Sequence, residues 1–542
     1  MTPPAWVHKR DGRLVPFEAD KISRSLFAAT EQLGRSDAFL ARELTDGVLH
    51  FLSSDAEGSI PTTADIAELV AKVVRELGQP TLARAYADHK GRKSAQGAAT
   101  RPISVRFVPT DPLPSVLAEC RRAYALGAVF TRDLVAAQHD GLLTIGNLDA
   151  PLELAASAPA PLTPLLERLL EVRQLTAGVV ALDGVEHALA RSPLPEQSAT
   201  ASFVRDLEIG LRGTGLGAVV NLNVAVPPPW ADDLAEGPLF AGQRSDTPPD
   251  RLAVLAEVLL QALAHGPARA RIDWHLGERD FTPASAERLR RAARLAAEGA
   301  ALAFVFDRPR RPIALAEGID RKHPALLLTV GLHLPRLAGQ SGAGADPALF
   351  LRKLGSLARL ALSAAVQKRD FLRRHAADRP ALTRGFFLDR ARLMVAVVGL
   401  DRAVRLLTGK GLCDGKGPEF GRQVVQRLRD VLREDGRACL IDTCLDAPAG
   451  FTFDATGLPD PSAIAGVTAW DAAAPVKAQL RAAGVLHAVA DGGTAALLPD
   501  EERAAGAEQV AEWLRLAWSQ TDVGRLCFVR PAPAQRQLTL PE

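Results

Sequence analysis

Apolar residues form two kinds of pattern along this chain, and the change from one to the other marks its organisation. The first stretch, residues 5 to 93, opens with two short runs of β character, Trp6-Val7-His8-Lys9 and Leu14-Val15-Pro16-Phe17. Between them stands Asp11-Gly12, a dipeptide suited to the tight turn of a β-hairpin. Helical spacing follows: Ile22, Leu26, Phe27 and Leu33, then Phe39, Leu44, Val48 and Leu52, then Ile66, Leu69, Val70, Val73 and Leu77. Thr63, just ahead of Asp65-Ile66-Ala67-Glu68, reads as an N-cap or first-turn residue. From about 105 to 485, helical patterns alternate with β-like runs at 218–226, 303–306, 326–330, 393–398 and 438–442. Strands separated by long helical stretches predict an α/β architecture with a largely parallel sheet. One more helical pattern covers 504–518, ahead of a polar tail.

Length refines this picture. At 542 residues the chain exceeds what one hydrophobic core serves, so two or three domains are expected. A Lys/Arg/Gly/Ser/Ala stretch at 90–101 looks like a linker. The expected division is a small domain at 1–95, a linker at 96–104, a large domain at 105–490 and a C-terminal helix and tail at 491–542. Hydrophobic residues at 47%, charged residues at 24% and a net charge of +2 describe an ordinary soluble globular protein. That balance gives no reason to expect a nucleic-acid partner. The start of the chain lacks the apolar region of a signal peptide, and no apolar run reaches the roughly 18 residues of a membrane span, so a cytoplasmic protein is expected. Its five scattered cysteines, with no C-x-x-C pair, read as reduced thiols and predict neither a disulfide framework nor a zinc site.

The N-terminal hairpin concentrates candidate chemistry. Lys9 and Arg10 set two cations beside Gly12, whose lack of a side chain lets backbone approach a phosphate, and Lys21 brings a third from the next helix. A triphosphate suits that set; a solvated basic hairpin is the other reading. The run Val7-His8-Lys9-Arg10-Asp11-Gly12-Arg13-Leu14-Val15-Pro16-Phe17, then Lys21-Ile22 and later Ala85-Tyr86-x-x-His89-Lys90, resembles the ATP-cone. That family is the α+β allosteric domain, hairpin plus helix bundle, of ribonucleotide reductases and a related transcriptional repressor. The resemblance implies ATP or dATP, with Mg²⁺, as allosteric ligand at Val7, Lys9, Arg10, Gly12, Lys21, Ile22, Thr63 and Lys90. Ala67 stands where the family often has a histidine.

The large domain resembles the anaerobic, glycyl-radical class of ribonucleoside-triphosphate reductases. The segments that carry this are 130–154 with Gly146-Asn147-Leu148, Thr329-Val-Gly-Leu-His333-Leu-Pro-Arg336, Lys368-Arg369, and 397–409. The resemblance implies a ten-stranded α/β barrel, in which Asn221, Asn223 and the 227–229 prolines end a buried strand, either as a ligand pocket or as plain turn residues. It also implies a thiyl cysteine between Phe306 and Thr329 and a radical glycine near the C-terminus. Residues 307–324 contain no cysteine, and the nearest tail fragment, Asp522-Val-Gly524-Arg-Leu-Cys527, lacks the expected tyrosine. No other side chain replaces a thiyl radical. The catalytic residues are therefore unassigned. The primary reading is a nucleotide sensor, reductase-like but without radical catalysis, whose cone controls assembly, for example into a homo-oligomer, or interaction with a partner. The alternative is an active reductase using Cys439, Cys444 or Cys527 with Gly524; a third, an ATP-cone transcriptional regulator, would need zinc-ribbon cysteines ahead of the cone.

Three further clusters complete the reading. Asp273-Trp274-His275-Leu-Gly-Glu278-Arg-Asp280 reads as a loop with helix-capping acids. Arg308, Arg310 and Arg311 read as a basic turn, solvated or touching phosphate. The glycine-rich stretch 409–417 lacks Walker spacing and reads as a flexible loop that exposes Cys413.

Overall fold

The computed structural model describes residues 4–9, 13–55, 60–92, 112–148, 150–157, 165–224, 248–267, 269–309, 311–340, 346–375, 387–446, 474–497 and 506–528. At the N-terminus, β1 (Trp6–His8) pairs antiparallel with β2 (Leu14–Pro16), ahead of α1 (Ala19–Gln32), α2 (Ala38–Asp55), α3 (Thr63–Glu76) and α4 (Pro80–Arg92). The helical spacing finds its core: Ile22, Leu26, Phe27, Phe39, Leu44, Val48, Leu52, Ile66, Val70 and Val73 are buried. Leu33 and Leu77 fall at C-caps and are exposed instead. The hairpin turn at Asp11-Gly12 and the linker at 96–104 lie outside the described residues.

Eleven strands of the remaining chain share one sheet, ten of them on a single path with β3 (Leu143–Ile145) as a side branch. One set is β4 (Leu152–Ser157), β5 (Thr176–Leu182), β6 (Gly217–Leu222), β7 (Ala270–Leu276) and β8 (Leu302–Phe306), all parallel. After the small antiparallel pair β9 (Ala314–Ala316) and β10 (Ile319–Asp320) comes the second set. It comprises β11 (Ala325–His333), β12 (Ala391–Val398), β13 (Thr443–Leu445), β14 (Thr494–Leu497) and β15 (Arg525–Phe528). The path runs β13-β12-β11-β4-β5-β6-β7-β8-β15-β14, so the two sets meet antiparallel at β11 with β4 and at β15 with β8. Backbone bonds from Asp491 and Gly492 to Leu445 O tie the entry to β14 to β13, at opposite ends of the path. Residues from 491 onward, set apart in the sequence reading, thus contribute two strands to this sheet.

Strands covered on both faces need continuous apolar runs, and all five residues of β8 and all nine of β11 are buried. The run at 438–442 behaves differently from its expected strand. Ala438 ends the helix Gly417–Ala438, Cys439 caps it, and Leu440 turns the chain at φ +55° with its side chain exposed. Arg369 donates to the carbonyls of both Cys439 and Leu440, which holds this turn and delays the strand to Thr443. The 409–417 stretch is pinned rather than flexible. Leu412 N donates to Asp401 Oδ1 at 2.6 Å and Gly417 N to Asp414 O at 2.9 Å, with Leu412 buried and Cys413 partly so.

A 28-residue helix, Pro347–Arg374, spans the body. It starts on an N-cap, Asp346, whose carboxylate accepts from Ala348 N at 2.9 Å, with Pro347 in the first turn. Its middle, from Leu354 to Ala365, is buried on nearly every face by small and apolar residues, and it packs on the helix Gly417–Ala438, on β11 and on α2.

The β9–β10 hairpin packs against the sheet at β5 and β6. Leu315, Ala316, Glu317 and Ile319 are buried, and Gly318 N donates to Asp446 Oδ2 at 2.7 Å just beyond β13. Gly318 has φ +71°, and a Cβ there would lie 3.0 Å from both Leu326 and Met394. Gly318→Ala is therefore expected to lower unfolding stability by about 1–3 kcal/mol, from left-handed strain and overpacking, measurable by urea denaturation.

Candidate functional site

In the cone, β1 is tied to the start of α3. His8 N donates to Pro61 O at 3.1 Å and His8 bridges Thr62 in parallel, while Lys9 N closes the hairpin onto Arg13 O at 2.9 Å. Thr62, not Thr63, is the N-cap. Its hydroxyl accepts from Asp65 N at 3.2 Å and its own N–H donates to Asp65 Oδ2 at 2.9 Å, a reciprocal capping box that leaves Thr63 as the first helical residue. The fold thus brings exposed Lys9 into the neighbourhood of a helix N-terminus, where the helix dipole favours an anion.

The other expected residues are placed as follows. Val7 and Ile22 are buried and position backbone rather than present side chains. Lys21, on the first turn of α1, is exposed and pairs with Glu18 at 2.7 Å. Arg10 and Gly12 lie outside the described residues, as does the side chain of Lys90, whose backbone continues α4.

Buried against the sheet, the β9–β10 turn carries Glu317. Arg271 of β7 grips both its oxygens, at 2.7 and 3.0 Å, and Arg525 of β15 approaches at 3.4 Å. The same arginines hold Asp273, Arg271 at 2.8 Å and Arg525 at 2.9 Å. Burial alone would raise the Glu317 carboxyl, but the charges of Arg271 and Arg525 outweigh it and hold the group well below the usual carboxylate range. Sequence reading missed this tetrad because its members lie on three separate segments. It also took 273–280 for a loop: Asp273 and His275 in fact stand on β7, and only Gly277–Asp280 forms a capped turn, with Gly277 N donating to Asp280 Oδ2 at 2.9 Å.

His275 is wholly buried beside the tetrad. Asn221 Nδ2 donates to Leu182 O at 3.0 Å and to Leu315 O at 2.9 Å, so Asn221 Oδ1 is an acceptor facing His275 Nε2 at 2.9 Å. Nδ1 faces the Asp307 carboxylate at 2.9 Å. With acceptors on both sides the ring must donate twice, which makes it an imidazolium. Burial would lower its pKa, and the Asp307 charge and hydrogen bond outweigh that and raise it. Asn223 is likewise consumed internally: its N–H donates to Glu186 Oε1 at 2.6 Å and its amide to His275 O and Asp280 Oδ1. Burial pushes the Glu186 carboxyl up to about 7. The prolines at 227–229 lie outside the described residues.

The remaining candidates have structural partners. Arg308 is no phosphate contact: it donates to the carbonyls of Ala517, Trp518 and Val523 and lies over the Trp518 ring, and Arg311 caps His487 O at 2.9 Å; Arg310 lies outside the described residues. Cys527 and Cys444 are buried, and burial pushes the Cys527 thiol up to about 11 and Cys444 well above its ordinary value. Gly524 is bonded on both sides, its N–H to His487 Nδ1 at 3.2 Å and its carbonyl to Phe306 N at 2.9 Å.

Two outcomes follow. Replacing Glu317 by Gln leaves two buried guanidinium groups facing one carboxylate, and should cost about 3–5 kcal/mol in urea denaturation. Because the folded pKa of His275 is raised, its stabilisation is complete below the unfolded pKa of about 6.5 and is lost as pH rises through the folded value. Urea midpoints from pH 6 to 9 should fall in the native chain and fall less in His275→Gln.

The N-terminal residues 6–93 match the model of the ATP cone domain. No curated protein sequence matches the chain. Among solved structures, an anaerobic ribonucleotide reductase superposes with TM-score 0.59 at 12% identity, over 77% of this chain and 78% of that one. The anaerobic ribonucleotide reductase of Thermotoga maritima in complex with dATP and CTP gives TM-score 0.58 at 12% identity, over 77% and 82%. The same enzyme with citrate in the active site gives 0.56 at 12% identity, over 77% and 90%. The chain therefore carries an ATP cone domain at its N-terminus and, over most of its length, the fold of an anaerobic ribonucleotide reductase.

Proposed function

We propose that this protein is a nucleotide sensor built on a ribonucleotide-reductase fold, binding ATP or dATP on its cone and carrying out no radical chemistry. The observation that carries the second half is Glu317. The segment in which the resemblance would place a thiyl cysteine carries a buried carboxylate at its turn, clamped by Arg271 and Arg525. At that turn a clamped carboxylate stands where an abstractable thiol hydrogen would be needed. The ten strands of the path are taken to close as the barrel of that fold, with the Asp491–Leu445 bonds at the seam.

The first half rests on the cone. Lys9, Arg10 and Lys21 would take the phosphates, with Mg²⁺ accompanying them; Gly12 would let the hairpin backbone approach. Thr63 at the opening of α3 and Lys90 would complete the site, and Val7 and Ile22 would fix its frame. The regulated event is a change of assembly, such as formation of a homo-oligomer, in a cytoplasmic protein. That the Thermotoga maritima enzyme has been seen with dATP bound in its specificity site agrees with a fold that accommodates deoxynucleotides.

Calorimetric titration tests this directly. ATP and dATP with Mg²⁺ should bind the full-length protein, and Lys9→Ala with Arg10→Ala should weaken binding about a hundredfold or more, as expected for two lost charge-assisted contacts of about 1.5–3 kcal/mol each. Binding that survives unchanged in the double variant would place the nucleotide elsewhere. Formation of deoxynucleotide by the purified protein would sink the non-catalytic reading.

A further inference from the structure

The helix Pro347–Arg374 touches the cone with one part of its surface and the sheet with another. Toward the cone, Ser363 Oγ donates to Asp20 Oδ2 at 2.5 Å and Ser356 Oγ to Asp46 Oδ2 at 2.5 Å. Arg359 joins the same contact, 2.9 Å from Asp46, and reaches on to Asp435 at 2.7 Å. Asp20 is paired within the cone to Arg42 at 2.6 Å. Burial alone would raise the Asp20 carboxyl, yet Arg42 and the Ser363 hydroxyl outweigh it and keep the group below its ordinary range. These are desolvated, directional contacts between complementary groups, unlike exposed surface pairs.

Toward the sheet, Gln367 Nε2 donates to Ser363 Oγ at 3.0 Å and to Thr131 Oγ1 at 3.1 Å. One residue on, buried Lys368 donates from Nζ to Asn147 O at 2.7 Å and to Leu327 O at 3.0 Å, the latter on β11. Ser363 and Lys368 are five positions apart on one helix, about 7.5 Å along its axis. A carboxylate of the cone and a strand of the sheet are therefore linked through a single rigid element.

We propose that this helix reports the nucleotide state of the cone to β11, through Asp20, Ser363, Gln367 and Lys368. The proposal rests on the cone being an ATP or dATP sensor. Asp20 precedes Lys21 on the first turn of α1, and Lys21 is held by Glu18. A triphosphate that draws Lys21 from Glu18 acts on that turn, and Asp20 cannot follow a shift of the turn without changing its contact with Ser363. Coupling of this kind is reciprocal: whatever lets the nucleotide act on the helix lets the helix act on nucleotide affinity.

The test uses the full-length protein. Amide hydrogen exchange is followed in residues 325–333 and 365–374 with and without Mg-ATP, and Mg-ATP affinity is measured by calorimetry in the native chain and in Ser363→Ala, a change remote from the hairpin. The expected result is altered exchange in both segments on binding, an affinity shift of about fivefold or more in Ser363→Ala, and loss of the exchange response in that variant. ATP binding with unchanged exchange overturns the coupling and leaves the sensor intact, and the native chain decides this point even if the variant fails to fold. Unchanged affinity together with a retained response in a folded Ser363→Ala also overturns it. Absence of ATP binding to the native chain overturns the sensor reading and the coupling together.

Discussion

A carboxylate can be buried against this sheet only with compensating charge beside it. The solvation lost by an isolated ion in such a place amounts to many kcal/mol, and Glu317 recovers it from two guanidinium groups that Asp273 shares. Much of the architecture answers to that requirement. Arg271 must face inward from β7, Arg525 must arrive on β15, and β15 must lie beside β8, where it forms one of the two junctions between opposed parallel sets. The hairpin that carries Glu317 is then fixed from several sides: Asn221 holds Leu315 O, Asp446 holds Gly318 N, and Leu326 and Met394 leave room only for a glycine. Here charged side chains are held mainly by one another.

The cone obeys a different economy. Its helices bury a small apolar core, but its edge toward the body is lined with acids, and the body answers with serines, an arginine and a lysine on one long helix. A docking surface made of charged hydrogen bonds is specific in register and sensitive to small shifts, because each bond weakens steeply with misalignment. An apolar face of the same area would tolerate sliding.

What the sequence disclosed followed from local rules. The hairpin and the first helices of the cone were legible because turn chemistry and 3.6-residue spacing act within a dozen residues; Ile22, Phe27, Val48 and Val70 fell where the period put them. The runs that became β6, β8, β11 and β12 were legible because strands covered on both faces are continuously apolar. β7 was not, since Arg271, Asp273 and His275 alternate with Ile272 and Trp274, and polar residues facing an ionic interior look like a loop. At 438–442 the apolar run suited a strand, but the helix before it had not finished and Arg369 captured its last carbonyls. The tetrad was invisible for a simpler reason: ion pairs between residues 271, 317 and 525 leave no mark at any fixed spacing. The absence of a cysteine from 307–324 was plain in the sequence, whereas the residue standing at the turn became meaningful only once its neighbours were in view.

The position of Arg525 also orders events during synthesis. Residues 271, 273 and 317 leave the ribosome long before 525, so until then a single guanidinium, that of Arg271, is available to Glu317 and Asp273. The edge of β8 that β15 will occupy stays open for the same interval. Until β15 arrives, the hairpin has reason to remain outside and β8 offers an unpaired edge to any other strand. The step that pairs β15 with β8 is thus also the step that balances the charges of Glu317 and Asp273, so that part of the core waits for residues 525–528.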